Sequence, residues 1–226
     1  MDQHLINEML ETIARECRLT QNYTGIHEFK PNVMAAMAKV LREEFVPESL
    51  KQWAYANRPL PIGDGQTISQ PFIVALMTDL LCPEKDHIIL EVGAGSGYQA
   101  AVLSHLVDKV YTIEIVKALA DKAAKHLKKL GYKNVVIIQG DATKGCPELV
   151  PYDGIIVTAA ASHIPAALKE QLKPGGRLVI PVGRPHMPQE LMLIQKDEHD
   201  GFTERNILPV AFVPFTGELN NDIQLT

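Results

Sequence analysis

An apolar run ending in three closely spaced glycines, Ile89-Leu-Glu-Val-Gly-Ala-Gly-Ser-Gly-Tyr98, constrains this chain more than any other feature. Glycines at 93, 95 and 97 remove every Cβ where the backbone must turn sharply, and a helical pattern follows at once. Strand, tight turn and helix in that order make one unit of a parallel α/β sheet, and such a turn lets a ligand approach the backbone. The amides from Gly95 to Tyr98 then open the helix. The G-x-G-x-G spacing differs from the G-x-G-x-x-G that seats a pyrophosphate on a helix N-terminus, which favours S-adenosylmethionine over NAD. A tight turn without a ligand is the competing reading, and the neighbouring residues must decide.

The same alternation continues along the chain. Strand patterns fall at 87–92, 110–114, 134–139, 154–157 and 177–181, separated by helical patterns at 98–107, 117–130 and 165–172. The expected fold is therefore α/β, a doubly wound Rossmann-like sheet. Short strand candidates at 190–195, 202–207 and 210–215, with a polar turn between the first two, predict an antiparallel C-terminal edge. Before the sheet, Leu5, Ile6, Met9, Leu10 and Ile13 recur at helical spacing, as do Val33, Met34, Met37, Val40 and Leu41. These predict an N-terminal helical extension. Residues 44–64 carry Pro47, Pro59, Pro61, Gly63 and Trp53 and read as a long ordered loop, a kind of segment that tends to be functional. A clear helix spans 71–81. One domain over 1–226 is expected, with helices and an active-site loop in 1–70, the cofactor-binding core in 71–183 and C-terminal strands in 184–226.

Charge and composition exclude several classes. The net charge of −5 argues against sequence-independent capture of nucleic acid. No run reaches the length of a membrane span, and the first residues lack the basic head and apolar core of a signal peptide. Cys17, Cys82 and Cys146 cannot all pair and lack metal-ligand spacing, so reduced buried thiols in a cytoplasmic protein are expected. Cys82-Pro83 and Cys146-Pro147 are discounted as nucleophiles, and His87, His105, His163 and His186 are scattered. No metal is expected.

The second strand ends at Glu114, where a ribose diol would lie; capping the next helix is the plainer role. Asp141 closes the third strand near an adenine edge. Glu91 either helps fix the turn or the amino acid part of the cofactor, or bonds to loop amides. The fourth strand, Tyr152 to Ala160, lacks the Asn/Asp-Pro-Pro-aromatic tetrad with which amino-methylating enzymes hold a flipped base. Ser69, before Pro71, is a helix N-cap candidate that can also hydrogen-bond a carboxylate.

Taken together, Pro59–Pro71 (PLPIGDGQTISQP), Ile89–Tyr98, VYTIE at 110–114, Gly140–Ala142, VTAA at 157–160, LKPGGRLVIPVG at 172–183 and FVPF at 212–215 closely resemble the protein-L-isoaspartate O-methyltransferase family over nearly the whole chain. The proline-glycine-TIS loop is the specific part. The resemblance implies a class I methyltransferase that moves a methyl group from S-adenosylmethionine to the α-carboxylate of L-isoaspartyl residues in damaged proteins, after which a succinimide forms and opens to aspartate. By position, Ser69 becomes the active-site residue, with Thr67, Ile68 and Ser69 against the cofactor. Gly93, Ala94, Gly95, Gly97, Tyr98, Glu114, Asp141 and Ala142 hold it, joined by Glu91. Ile62 and Val213 flank the peptide, and Thr216 approaches from the C-terminal segment. Arg58 receives no role. An ionised carboxylate needs no general base, so Ser69 orients it and does not attack. Rival readings are an RNA or small-molecule methyltransferase of the same fold, a non-catalytic cofactor-binding adaptor and, weakest, an NAD-dependent dehydrogenase. The oligomeric state stays open.

Overall fold

The computed structural model describes residues 3–146, 149, 151–184 and 187–217. Pro147, His186 and the tail beyond Gly217, all considered above, lie outside them.

The sequence PFIVALMTDLL makes the helix on which the fold is organised, α4 (Pro71–Leu81). Pro71 occupies its first turn and Cys82, left-handed at φ 51°, ends it. Every residue of α4 except Ile73 is buried. A helix apolar on all sides must be covered on all sides. The sheet covers one side, and α1 (Gln3–Leu19) and α3 (Pro31–Lys39) cover the other, through Ile6, Met9, Ile13, Val33 and Met37. A four-residue helix, α2 (Gln21–Thr24), lies between them. The N-terminal extension is thus the outer half of the core. Lys30 N–H donates to the buried Asp79 of α4 at 2.8 Å, and burial pushes that carboxyl above its ordinary range.

Residues 42–68 depart from the expected loop. Two 3-10 turns, Arg42–Phe45 and Glu48–Trp53, lead into an antiparallel hairpin of β1 (Leu60–Gly63) and β2 (Gln66–Ile68). Asp64 and Gly65 both take positive φ in its turn, the chemistry of a tight Asp-Gly hairpin. Prolines at 59 and 61 masked the strand signal, since proline demotes a run to edge or loop.

The main sheet has seven strands in the order β5-β4-β3-β6-β7-β8-β9. These are β3 (Ile88–Val92), β4 (Lys109–Glu114), β5 (Val135–Gln139), β6 (Tyr152–Val157), β7 (Leu172–Val182), β8 (Gln189–Lys196) and β9 (Phe202–Val210), with α5 (Tyr98–Ser104), α6 (Lys117–Lys129) and α7 (Ala166–Glu170) as crossovers. Pairing is parallel from β5 to β7 and antiparallel for β8 and β9, as the sequence predicts. The strand expected at 210–215 does not form. β9 consumes Val210, and the chain then crosses back so that Ala160 N–H donates to Val213 O and Phe215 N–H to Ala160 O, each at 2.8 Å. Pro214 has no N–H with which to extend a ladder there. Cys17 and Cys146 are buried, but Cys82 is only half-buried, its sulfur accepting from Lys30 Nζ and an Arg177 amino group at 2.7 and 2.8 Å. Among the described residues no helix is long and apolar enough to cross a membrane.

Candidate active site

Strands β3, β4 and β6 end together, and the glycine turn rises from β3 between them. Gly93, Gly95 and Gly97 all have positive φ, at 95°, 51° and 86°. A Cβ on Gly93 would stand 2.5 Å from Thr158 Oγ1, whose hydroxyl donates to Gly93 O at 2.7 Å, and one on Gly97 would press on Leu127 of α6 at 3.0 Å. Gly93 therefore shapes the pocket, whereas Gly97 allows two helices to pack.

Two acids face this turn with different surroundings. Glu114 is buried, and its carboxylate accepts Gly95 N–H at 2.8 Å and Val116 N–H at 2.9 Å, tying the turn to the entry of α6. Its remaining lone pairs can still accept hydroxyls. Glu91 is wholly buried near the end of β3, and among the described residues neither of its oxygens has a hydrogen-bond partner. Burial pushes its carboxyl up to about 8, Glu114 adds to the rise, and the Thr112 hydroxyl opposes it from outside hydrogen-bonding geometry. The amides expected to open α5 are partly consumed inside the turn. Gly95 N–H goes to Glu114, Gly97 N–H to Ala94 O and Tyr98 N–H to Ser96 Oγ.

The roof comes from far along the chain. The hairpin brings Thr67, Ile68 and Ser69 over the turn, and the C-terminal crossing brings Val213 and Thr216. Ser69 caps no helix, because Gln70, extended at ψ 136° as residues before proline tend to be, is the N-cap. Among the described residues the Ser69 hydroxyl makes no hydrogen bond, which leaves it available. Of the residues expected at the site, Thr67, Ile68, Ser69, Glu91, Gly93, Ala94, Gly95, Tyr98, Glu114, Ala142, Val213 and Thr216 line one pocket. Gly97, Ile62 and Asp141 do not. Asp141 is exposed and accepts from Thr143 N–H, capping the turn Ala142–Lys144, while Ile62 points into a separate cavity.

Several residues on which the site depends escaped sequence reasoning. Thr158 holds the turn through its bonds to Val92 O and Gly93 O. Arg42 is wholly buried with its guanidinium 4.9 Å over the Tyr98 ring, donating from Nε to Ala54 O at 2.7 Å and from Nη2 to Arg58 O at 3.5 Å. Asn57 accepts the Phe72 N–H at the start of α4, and Gln189 pairs with both backbone groups of Phe212. A charge pattern of isolated Arg or Asn gives no signal of such long-range roles.

Chemically, the pocket has two carboxyl groups, Glu91 and Glu114, and among the described residues no Lys, Arg or His in its lining. That suits a ligand carrying positive charge and hydroxyls, and it opposes a pyrophosphate. The exposed Glu84 and Asp86 and the half-buried His87 lie together on the turn before β3, outside the pocket.

The model of the family described as "Protein-L-isoaspartate(D-aspartate) O-methyltransferase" matches residues 17–220. A protein-L-isoaspartate O-methyltransferase 2 of Syntrophobacter fumaroxidans is 56% identical over 210 residues, covering 93% of this chain and 85% of the relative. The enzyme so named in Methanopyrus kandleri is 52% identical, covering 91% and 92%. Among solved structures, a protein-L-isoaspartate O-methyltransferase superposes with a TM-score of 0.83 at 27% identity, covering 95% of this chain and 67% of its own. A Plasmodium falciparum structure described as this type of enzyme in complex with S-adenosyl-L-homocysteine gives 0.76 at 25%, covering 92% and 97%.

Proposed function

The chain belongs to the protein-L-isoaspartate O-methyltransferase family, and on that premise we propose how its residues serve the reaction. It is a repair enzyme that transfers a methyl group from S-adenosylmethionine to the free α-carboxylate of L-isoaspartyl residues. The observation that carries the assignment of roles is the acidic pocket, with no cationic side chain among the described residues of its lining, beneath a roof of uncharged hydroxyls.

The pocket residues fit the cofactor. Glu91 is a buried acid without a hydrogen-bond partner among the described residues, Glu114 has spare acceptor capacity, and the space beside Gly93 is one that a Cβ would disturb. When bound, the cofactor supplies a methyl group activated by a sulfonium. Glu114 takes the ribose hydroxyls, Glu91 faces the cationic amino acid part, and Ala142 with Ile115 borders the base. Asp141 acts by fixing the turn that presents Ala142. Thr67, Ile68 and Thr216 close the pocket over the cofactor, and Ser69 donates its hydroxyl to the substrate carboxylate. Val213 borders the incoming peptide. No proton needs to be removed from an already ionised acceptor, so these residues act by alignment and by excluding water, effects worth several kcal/mol. The reading extends to one functional unit over the chain and to a cytoplasmic location, which three cysteines outside any disulfide support.

The test is methyl transfer from labelled S-adenosylmethionine to a synthetic isoaspartyl peptide beside its normal aspartyl twin. Base-labile labelling of the first alone is expected; labelling of neither, or of both equally, overturns the reading.

A further inference from the structure

A second cavity, of about 390 Å³, adjoins the active-site pocket. Its walls are apolar: Phe45 from the first 3-10 turn, Ile62 from the hairpin, and Leu119 and Ala123 from α6, all buried. Gly95 and Ser96 of the glycine turn line both cavities. Ile62 Cδ1 lies 3.5 Å from where a Cβ on Gly95 would stand, so the hairpin roofs one cavity with Thr67 to Ser69 and the other with Ile62.

The rim has its own chemistry. Lys122, Lys125 and Lys129 are spaced to share one face of α6, border the cavity and are exposed. Among the described residues none of the three forms an ion pair; the lysine that does on this helix is Lys117, with Asp121. Glu44 stands opposite as the one acid in the lining. Residues 117–133 hold six lysines against one aspartate, in a chain whose net charge is −5, so this face departs in sign from the molecule as a whole.

We infer that this groove binds the stretch of the damaged polypeptide that flanks the isoaspartyl residue, taking an apolar side chain between Ile62 and Leu119 and acidic neighbours against Lys122, Lys125 and Lys129. The inference rests on the repair reading and adds a substrate preference to it. Reach is sufficient. Along the hairpin, Ser69 and Ile62 are separated by roughly 10 Å, about three residues of extended chain. Damaged sites occur in many sequences, so a groove read by charge and one apolar anchor adds affinity without demanding a motif.

Three isoaspartyl peptides test this. One carries Glu-Leu-Glu on the N-terminal side of the isoaspartate, one carries it on the C-terminal side, and one carries Gln-Ser-Gln on both. With the intact chain, KM for one of the acidic peptides is expected to be about tenfold lower than for the neutral one, the sum of a few modest charge contacts. Salt at about 1 M, where screening acts over about 3 Å, should erase the difference. The triple variant Lys122→Gln, Lys125→Gln, Lys129→Gln should bring the KM ratio close to one, with cofactor affinity measured alongside to establish that it folds. Equal KM values for all three peptides overturn the inference, as does a preference that survives both the salt and the triple variant. Failure to methylate even the neutral peptide overturns the repair reading itself, and the groove assignment with it.

Discussion

The floor of the active-site pocket is held by unbroken parallel pairing, Glu91 opposite Thr112 and Ile156, Val92 opposite Ile113 and Val157, whereas the roof is held by a few bonds that span long stretches of chain. Those bonds are Asn57 to Phe72, Arg42 to Ala54 and Arg58, Val213 and Phe215 to Ala160, and Phe212 to Gln189. The floor is continuous with a buried sheet and is expected to open only with global unfolding, and the roof to open locally first. Preorganised charge therefore sits where the structure is stiffest, and ligand entry is left to the part that yields.

Changes to the floor should cost most. Gly93→Ala forces a Cβ onto Thr158 at a left-handed φ, so a loss of about 3 kcal/mol in urea unfolding is expected. Cofactor affinity should fall by about a hundredfold or more by calorimetry, two sites' worth of lost contacts at roughly 1.4 kcal/mol per decade. Retention of wild-type affinity would show that the turn is less rigid than the comparison holds.

The buried acid of the floor makes the next largest effect. The Glu91 carboxyl sits at about 8 when folded, against an ordinary 4.5, with burial as the main cause. The folded chain thus keeps a proton that the unfolded chain releases. The stabilisation is complete below the unfolded value and is lost as pH rises towards the folded one, at up to about 1.4 kcal/mol per pH unit. Glu91→Gln should remove on the order of 3 kcal/mol of stability change between about pH 5 and 8. An unaltered pH slope in the variant would exclude Glu91 as its source. Because a cationic ligand favours the ionised acid, cofactor binding near neutral pH should also release a proton, read from binding enthalpies in buffers of different ionisation heat.

Roof changes should separate binding from turnover. Ser69→Ala is expected to lower kcat roughly thirtyfold, about the worth of one hydrogen bond to a charged group. Cofactor Kd should stay within about twofold, a small fraction of a kcal/mol. Unchanged kcat, or a parallel loss of cofactor binding, would remove Ser69 from the role given to it. The smallest effect is expected from Arg42→Met. It keeps the volume but leaves the Ala54 and Arg58 carbonyls without their donor, at about 1 to 2 kcal/mol. Hydrogen exchange should rise in the hairpin before it rises in β3; uniform loss of protection would mean that floor and roof open as one unit.

Much of the floor was legible in the chain because its signals are local. Three glycines needing positive φ, acids at strand ends and the alternation of strand and helix all sit within short windows. The boundaries of α4 and the antiparallel edge followed from the same patterns. Less legible were the hairpin, hidden by Pro59 and Pro61, and the C-terminal crossing, read as a strand from its apolar residues although Pro214 cannot propagate one. Asp141 is a strand-end acid of a kind that can bind a ligand or cap the next turn, and the fold shows the cap through Thr143 N–H.

The sequence alone determined that a parallel sheet would carry a glycine turn flanked by Glu91 and Glu114, since period, turn chemistry and strand-end position are properties of neighbouring residues. Only the tertiary structure decided that Glu91 is buried with no hydrogen-bond partner among the described residues while Glu114 ties down the turn, that Arg42 ties Ala54 and Arg58, ahead of the hairpin, to Tyr98, and that Ile62 faces a second cavity. Burial, and the pairing of groups far apart in the chain, come from packing, which no local window contains.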